Sequence, residues 1–343
     1  MNEKLKERLR KWAPRVAFPF FYVVCFFVFV SWTFPYDKLK ERMVVTFNAQ
    51  QRATSGSQEL QIDEMSSYWV TGVEAKGIHL LSAPTEPGKP PGDLKIEQAR
   101  ARISLLGLLV GNKNVSYKLD AFGGVVDGSF DDNGKERNVE VNFDGVDLAQ
   151  IDPVTQLLGM PIEGKLTGQI KLSMPEGKAS KGNGVVNLEA TDVAVGDGKT
   201  KIKGTLALPR LNAGTLSLNA EAHDGVLKIT KLAAGGKDIE LQGEGRIQMR
   251  ELATESGLDI NVRFKINDAY RTKNDVTKSL FGAPGSNAPA LFELADPKVK
   301  QSKRADGFYG WHLRQTLGRP DFAPAPTAGP TLPGGTPLKA LPQ

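Results

Sequence analysis

Cysteine and histidine are scarce: one Cys and three His in 343 residues. Cys25 has no second thiol in the chain, so no intrachain disulfide forms, and cysteine usage neither supports nor excludes an oxidising compartment. His79, His223 and His312 stand far apart in the sequence without local partners, whereas a catalytic histidine needs an orienting group in reach. No HExxH, GxSxG or CxxC occurs. Gly198-Lys199-Thr200 ends like a phosphate-binding loop, but Val193 stands where that loop needs its first glycine. Ser129-x-Asp131-x-Asn133-Gly134, followed by Glu140, approaches a calcium loop. Ser129 replaces the required Asp, however, and strands replace the flanking helices. The reading is a non-enzymatic chain with no cofactor and no metal.

A large charge of one sign is also missing outside the first residues. The formal net charge is +5, of which residues 1–15 carry +4: Lys4, Lys6, Arg8, Arg10, Lys11 and Arg15 against Glu3 and Glu7. A nucleic-acid footprint needs basic residues clustered on a fold, so nucleic acid is excluded as a partner.

What is present begins with Val16–Phe34, an apolar run without a charge. A bilayer core is roughly 30 Å thick and takes about 20 apolar helical residues. Val16, Phe20, Phe21, Phe26, Phe27, Phe29 and Trp32 are the candidate anchor residues, with Trp32 and Tyr36 suited to the far interface and Trp12 to the near one. The basic flank stays cytoplasmic, which places the remaining chain across the membrane. A cleaved signal peptide would have a shorter core and a small-x-small exit; Ser31-Trp32-Thr33-Phe34 is bulky, so the run reads as an uncleaved single-pass anchor.

Over residues 35–55, Leu39, Met43 and Phe47 recur every four residues beside Val44, one apolar stripe on a helix with Asp37 as its N-cap. Two readings stand: a helix packed on its own domain, or one lying on the membrane surface. From Leu60 onward short runs alternate apolar and polar residues. Val139, Val141 and Phe143 alternate with Glu140 and Asn142, and Leu258, Ile260, Val262, Phe264 and Ile266 alternate with Asp259, Asn261, Arg263 and Lys265. Period two marks antiparallel strands with one wet and one dry face. Asp131-Asp132-Asn133-Gly134 and Gly196-Asp197-Gly198 suit tight turns.

Two weak repeats run through this region. One is VEAKGIHL (from Val73), VNFDGVDL (from Val141) and LEATDVAV (from Leu188). The other, IEGKLTGQIKL (from Ile162), IKGTLAL (from Ile202) and IELQGEGRIQM (from Ile239), carries glycine in mid-strand. Mid-strand glycine marks a bulge or a bend, so the fold class expected is mainly β: a single transmembrane helix followed by one long, strongly curved antiparallel sheet with a few short helices. Short helices are expected after Ser104, Asp152 and Asp275, their apolar pairs Leu105/Leu106, Leu157/Leu158 and Leu280/Phe281 covering the open sheet face. Residues 84–92 read as a loop. The expected layout is a cytoplasmic tail (1–15), the anchor (16–34), a membrane-proximal helix (35–55), a periplasmic sheet domain (56–319) and a disordered Pro/Gly-rich tail (320–343).

Three stretches carry a family resemblance: the exit Phe34-Pro35-Tyr36-Asp37-x-Leu39-Lys40, ISLLGLLVGNKNVSYKLDAFGG from Ile103, and VDLAQIDPVTQLLGMPIEGKLTGQIKL from Val146. Together the chain resembles the type II secretion system protein N family, within the broader AsmA-like group. The resemblance implies an inner-membrane protein of a Gram-negative bacterium with its domain in the periplasm, serving as a structural accessory of the secretion machinery and meeting protein partners there. The alternative is an AsmA-like open groove that binds or moves phospholipid, with Val139, Val141, Phe143, Leu258, Ile260, Val262 and Phe264 on its apolar face. Whether that face holds lipid or is filled by the chain's own side chains stays open at this point.

Overall fold

The computed structural model describes residues 17–326 except 20, 24, 27, 30, 31, 54–57, 70, 83–91, 152–159, 200, 203–205, 287–289 and 295. Fourteen strands form one antiparallel sheet that follows chain order. β9 (Lys201–Ile202) and β10 (Leu206–Ala207) pair with each other instead. The sheet is neither closed nor strongly curled, which corrects the strong curvature expected from the glycines. The chain divides into two compact units, Met1–Asp131 and Asp132–Gln343.

The first unit contains α1 (Tyr36–Ala53), β1 (Gln58–Tyr68), β2 (Gly72–Ser82), β3 (Gly92–Ile103), α2 (Leu105–Leu109), β4 (Lys113–Ala121) and nearly all of β5 (Gly124–Asp132). Cross-strand rows such as Ile62–Ile78–Ile96–Ala121 and Met65–Ala75–Ala99–Leu119 give it one apolar face. An extra residue in three strands, Asp63, Gly77 and Glu97, falls between these rows, and the register against β4 shifts there. α1 begins at Tyr36, so Asp37 lies inside its first turn and is not the N-cap. α2 is closed by the Ser104 side chain, which accepts from the Gly107 N–H at 3.2 Å, as expected. Of the pair expected to cover the sheet, Leu105 is half-buried and Leu106 is exposed, as are Leu108 and Leu109.

The second unit holds β6 (Glu136–Asp147), β7 (Ile162–Pro175), β8 (Asn183–Val195), β11 (Leu211–His223), β12 (Val226–Gly235), β13 (Ile239–Gln248), β14 (Gly257–Ile266), β15 (Tyr309–Thr316) and β16 (Arg319–Pro324). Between β14 and β15 come α3 (Asp268–Arg271), α4 (Asp275–Phe281), α5 (Leu291–Leu294) and α6 (Pro297–Ser302). α4 is capped by Asn274 and not by Asp275: the Asn274 side chain accepts from the Thr277 N–H at 2.8 Å and the Thr277 hydroxyl accepts from the Asn274 N–H at 3.0 Å. The tail expected to be disordered from Pro320 is strand β16 as far as Pro324. Residues 152–159, where the Asp152-capped helix was expected, lie outside the described residues, as do residues 327–343.

The first repeat has a backbone meaning. Its fifth position is Gly77, Gly145 or Asp192, and all three adopt positive φ, at 59°, 66° and 53°. Each is an extra residue in its strand, so the apolar positions before it and after it share a face: Val141 and Phe143 with Val146 and Leu148, Leu188 and Ala190 with Val193 and Val195. Without the insertion, period-two alternation would turn the second pair outward. The glycines of the second repeat solve a different problem. A Cβ on Gly168 would sit 2.1 Å from the Asn187 carbonyl oxygen, and one on Gly245 would sit 2.3 Å from that of Asp259. These glycines allow close backbone approach on the adjacent strand and do not bend the sheet.

Only Gly, Asn and Asp occupy the left-handed region readily, and other residues pay roughly 1–2 kcal/mol. Asp192→Gly is therefore expected to leave stability unchanged or slightly raised, whereas Asp192→Val lowers it by about 1–2 kcal/mol, read as a shift of the urea midpoint.

Candidate functional site: an apolar sheet face with a partial helical cover

The second unit keeps its dry face in register across all nine strands. One row reads Val141, Ile170, Val186, Ala220, Ile229, Gly245, Ile260, Leu313 and Phe322. The next reads Phe143, Gly168, Leu188, Leu218, Leu232, Gly243, Val262, Trp311 and Pro324. Val139 and Leu258 lie in a further row and Phe264 in a fourth, so the candidate face residues Val139, Val141, Phe143, Leu258, Ile260, Val262 and Phe264 share one surface. The opposite face is mostly charged, with both signs: Glu140, Lys171, Val185, Glu221, Lys228, Arg246, Asp259, Arg314 and Asp321. Glu140 and Lys171 approach to 3.1 Å, and Arg246 and Asp259 to 3.3 Å.

The helices between β14 and β15 cover one end of the dry face. Tyr270, Leu280 and Phe281 are buried against Ala190, Val193, Leu211 and Ile266, so the apolar pair of α4 covers the sheet as expected. Phe292 stacks on Trp311 and meets Phe264 and Tyr309 edge-on or tilted. Polar pins hold the cover down. The Tyr270 hydroxyl donates to Pro209 O, and the Tyr309 hydroxyl donates to Glu293 Oε1 at 2.6 Å. Lys303 Nζ reaches the same oxygen at 2.6 Å. Burial pushes both tyrosines far above their ordinary range, with the Glu293 charge adding to the effect at Tyr309. Burial works to raise Glu293, but the hydrogen bonds from Lys303 and Tyr309 outweigh it and hold its carboxyl below 4.5. α5 and α6 escaped the sequence reading, although Asp296-Pro297 has the same Asp-cap, Pro-first signature that marked Asp152-Pro153.

The rest of the dry face has no second layer among the described residues. Val186, Ala220, Ile229, Leu258 and Ile260 form a buried cluster, flanked by half-buried Ile170, Leu188, Leu218, Leu227, Leu232, Ile247, Val262 and Leu313. Every one of these side chains comes from a strand. The five core members are only 2–7% exposed, so neighbouring strands bury one another's side chains here, and the flanking half-buried leucines and isoleucines are the accessible part of the face.

Both edges of the sheet are partly protected against strand addition. At one, α1 lies along β1: the Asn48 side chain accepts from the Leu60 N–H at 2.8 Å and donates to Leu60 O at 3.2 Å, while Lys40 Nζ donates to Asp63 O at 2.9 Å. Leu39, Met43 and Phe47 flank this contact and, with Leu60, line a shallow open apolar depression. At the other edge, the Ala325 N–H donates to Gly310 O at 3.0 Å, so the even-numbered backbone groups of β16 point outward. Those are Pro320, Phe322 and Pro324, and two of the three have no N–H. The tail prolines thus sit where an edge strand tolerates them.

The anchor residues fall partly outside the described residues: Val16, Phe20 and Phe27 are among those not described. Phe21, Phe26, Phe29 and Trp32 are helical and exposed. No helix of the described residues is long and apolar enough to cross a membrane. The histidines, read as partnerless, each meet a polar group across a strand or turn: His79 with Asp93 at 2.8 Å, His312 with Asp259 at 2.9 Å, and His223 with Asn183 at 3.1 Å. These pairs lie apart from one another. Among the described residues no cluster of His, Cys, Asp or Glu is arranged to hold a metal. The Asp131–Gly134 stretch is a hairpin turn, its Asn133 side chain accepting from the Lys135 and Glu136 N–H groups at 2.9 and 2.8 Å.

Glu293 ties the cover to β15. Glu293→Gln removes the charge from both hydrogen bonds and is expected to cost about 1–2 kcal/mol near neutrality. Because the folded-state carboxyl lies below its ordinary 4.5, this contribution is complete above that value and disappears as the pH falls through the folded-state value. Urea titrations of both proteins near neutral and acid pH check the sign. No protein-family model, curated protein or solved structure matches the chain.

Proposed function

We propose that this chain is a non-enzymatic protein of the bacterial cell envelope, anchored in the inner membrane through Val16–Phe34, whose periplasmic sheet holds the acyl chains of a phospholipid on its uncovered dry face. The observation that carries the reading is the cluster around Val186, Ile229 and Ile260, built from strands alone and continued by half-buried leucines and isoleucines. Acyl chains suit such a surface because they need area and no polar partner, and each buried CH₂ contributes about 0.8 kcal/mol. The helical cover supports the same reading: it closes one end of the face and leaves the other open for an extended apolar ligand. The exposed phenylalanines of the N-terminal run support the anchor.

A second reading, an accessory of the type II secretion machinery, is favoured by the stretches that carry the family resemblance. Ser104 caps a short turn leading into β4, and β7 is a glycine-punctuated strand. Under this reading protein partners meet the chain through its faces and loops more readily than through its partly protected sheet edges.

One pair of variants separates the readings. Leu232→Glu places a charge on the dry face, and Lys228→Glu changes the wet face beside it. Native mass spectrometry of the full chain extracted from membranes is expected to show bound phospholipid in the wild type and in Lys228→Glu, and loss of most of it in Leu232→Glu. A lipid-free wild type that takes up none when supplied sinks the lipid reading. Strains carrying the same alleles, beside a clean deletion, report export of secreted enzymes; normal export in the deletion sinks the secretion reading.

A further inference from the structure

The first unit has an apolar end that none of its described residues covers. Where β1 turns into β2, Trp69 is 71% exposed. Where β3 passes through α2 to β4, Leu106, Leu109 and Val110 are 78%, 82% and 74% exposed, with Ile103 and Leu108 exposed beside them. The two turns are one surface: the Ile103 N–H donates to Thr71 O at 3.2 Å, and the Arg102 guanidinium lies 6.0 Å from the centre of the Trp69 ring. The fold does not require these side chains. The Ser104 cap and the left-handed Gly111, with φ of 85°, fix the turn whatever lies between, so polar residues would have served in water.

The direction of α1 says what this end faces. Lys40 meets Asp63 and Asn48 meets Leu60, so the helix runs antiparallel to β1. Tyr36 falls about 6 Å beyond Lys40 toward the carboxyl end of β1, and Trp69 about 20 Å beyond Asp63 in the same direction, at the rises of helix and strand. The apolar run Val16–Phe34 therefore joins the unit on the side where the apolar turns project. The composition of the tip is interfacial: a tryptophan, a cation against its ring, and aliphatic side chains beyond.

We propose that the Trp69 turn and α2 form a second membrane contact, seated in the interfacial layer of the same bilayer that holds Val16–Phe34. Trp69 lies at headgroup level, Leu106, Leu109 and Val110 enter the upper acyl region, and Arg102 and Lys113 face lipid phosphate. This inference rests on the anchored reading of Val16–Phe34. Two contacts at separate points of the first unit fix the orientation of that unit's strands to the membrane, which a single anchor leaves free to swivel.

The test uses the full chain in vesicles of phosphatidylcholine and phosphatidylglycerol with brominated acyl chains, and an environment-sensitive fluorophore on a single thiol. Native Cys25 reports the anchor. Leu109→Cys and Gln58→Cys, each combined with Cys25→Ser, report the tip and the opposite end of β1. The expected result is that brominated lipid removes most of the emission at positions 25 and 109 and leaves that at position 58 unchanged. Quenching at 25 without quenching at 109 overturns the second contact while the anchor stands. No quenching at 25 overturns the anchored reading and this inference with it. Quenching at all three positions means general adsorption and also overturns the contact.

Discussion

Side chains on a strand alternate faces with every residue, so a strand that slips by one position turns its whole apolar set to the other side of the sheet. In the second unit nine strands hold the same apolar rows without a break from Val141 to Phe322, and everything else depends on that register. The same pairings that align leucines on one side align Glu221 with Lys228 and Arg246 with Asp259 on the other. Surface pairs of this kind contribute little each; Lys228 and Arg246, which face each other with like charge, each have an acid on their other side, Glu221 and Asp259. The left-handed positions Gly145 and Asp192 belong to the same constraint. Each adds one residue to a strand and so brings the next apolar pair back to the dry side.

Much of this was legible in the residues. Period-two alternation gave strands and their faces, and Leu258 to Phe264 share the surface expected of them. The repeat beginning at Val73, Val141 and Leu188 was visible as a pattern. Its break, apolar at the first, third, sixth and eighth positions, is the record of an inserted residue. Curvature was misread because a glycine in mid-strand has two uses. It can bend a strand, or it can let a neighbouring carbonyl approach where a Cβ would collide, and Gly168 and Gly245 do the second. That choice depends on the adjacent strand, which local sequence does not contain. The Pro320 tail was misread for a similar reason. Proline breaks a central strand but is harmless where its missing N–H would have faced outward, and only the pairing with β15 reveals that side.

The candidate surface combines partly protected edges with a dry face that, over most of its length, has no second layer among the described residues. Asn48 on Leu60, and Pro320 with Pro324, remove some of the backbone groups through which strands recruit one another. The helices after β14 bury the dry face near Phe264 and Ile266, and stop. Of the two functional readings, apolar ligand binding draws directly on what is left uncovered. The secretion reading draws on the resemblance and gains little surface from the partly protected edges. Under the lipid reading, the proposed anchor and Trp69 contact would bring the first unit to a bilayer that supplies the ligand.

The central claim is that the dry face, and not the wet one, meets lipid in the cell. A photo-crosslinking residue at position 218, on the dry face, and at its neighbour 217, on the wet face, tests it most directly. Irradiation of living cells followed by mass analysis of the purified chain should yield a lipid adduct at 218 and none at 217. Adducts to protein alone at 218, or equal lipid adducts at both positions, would contradict the account.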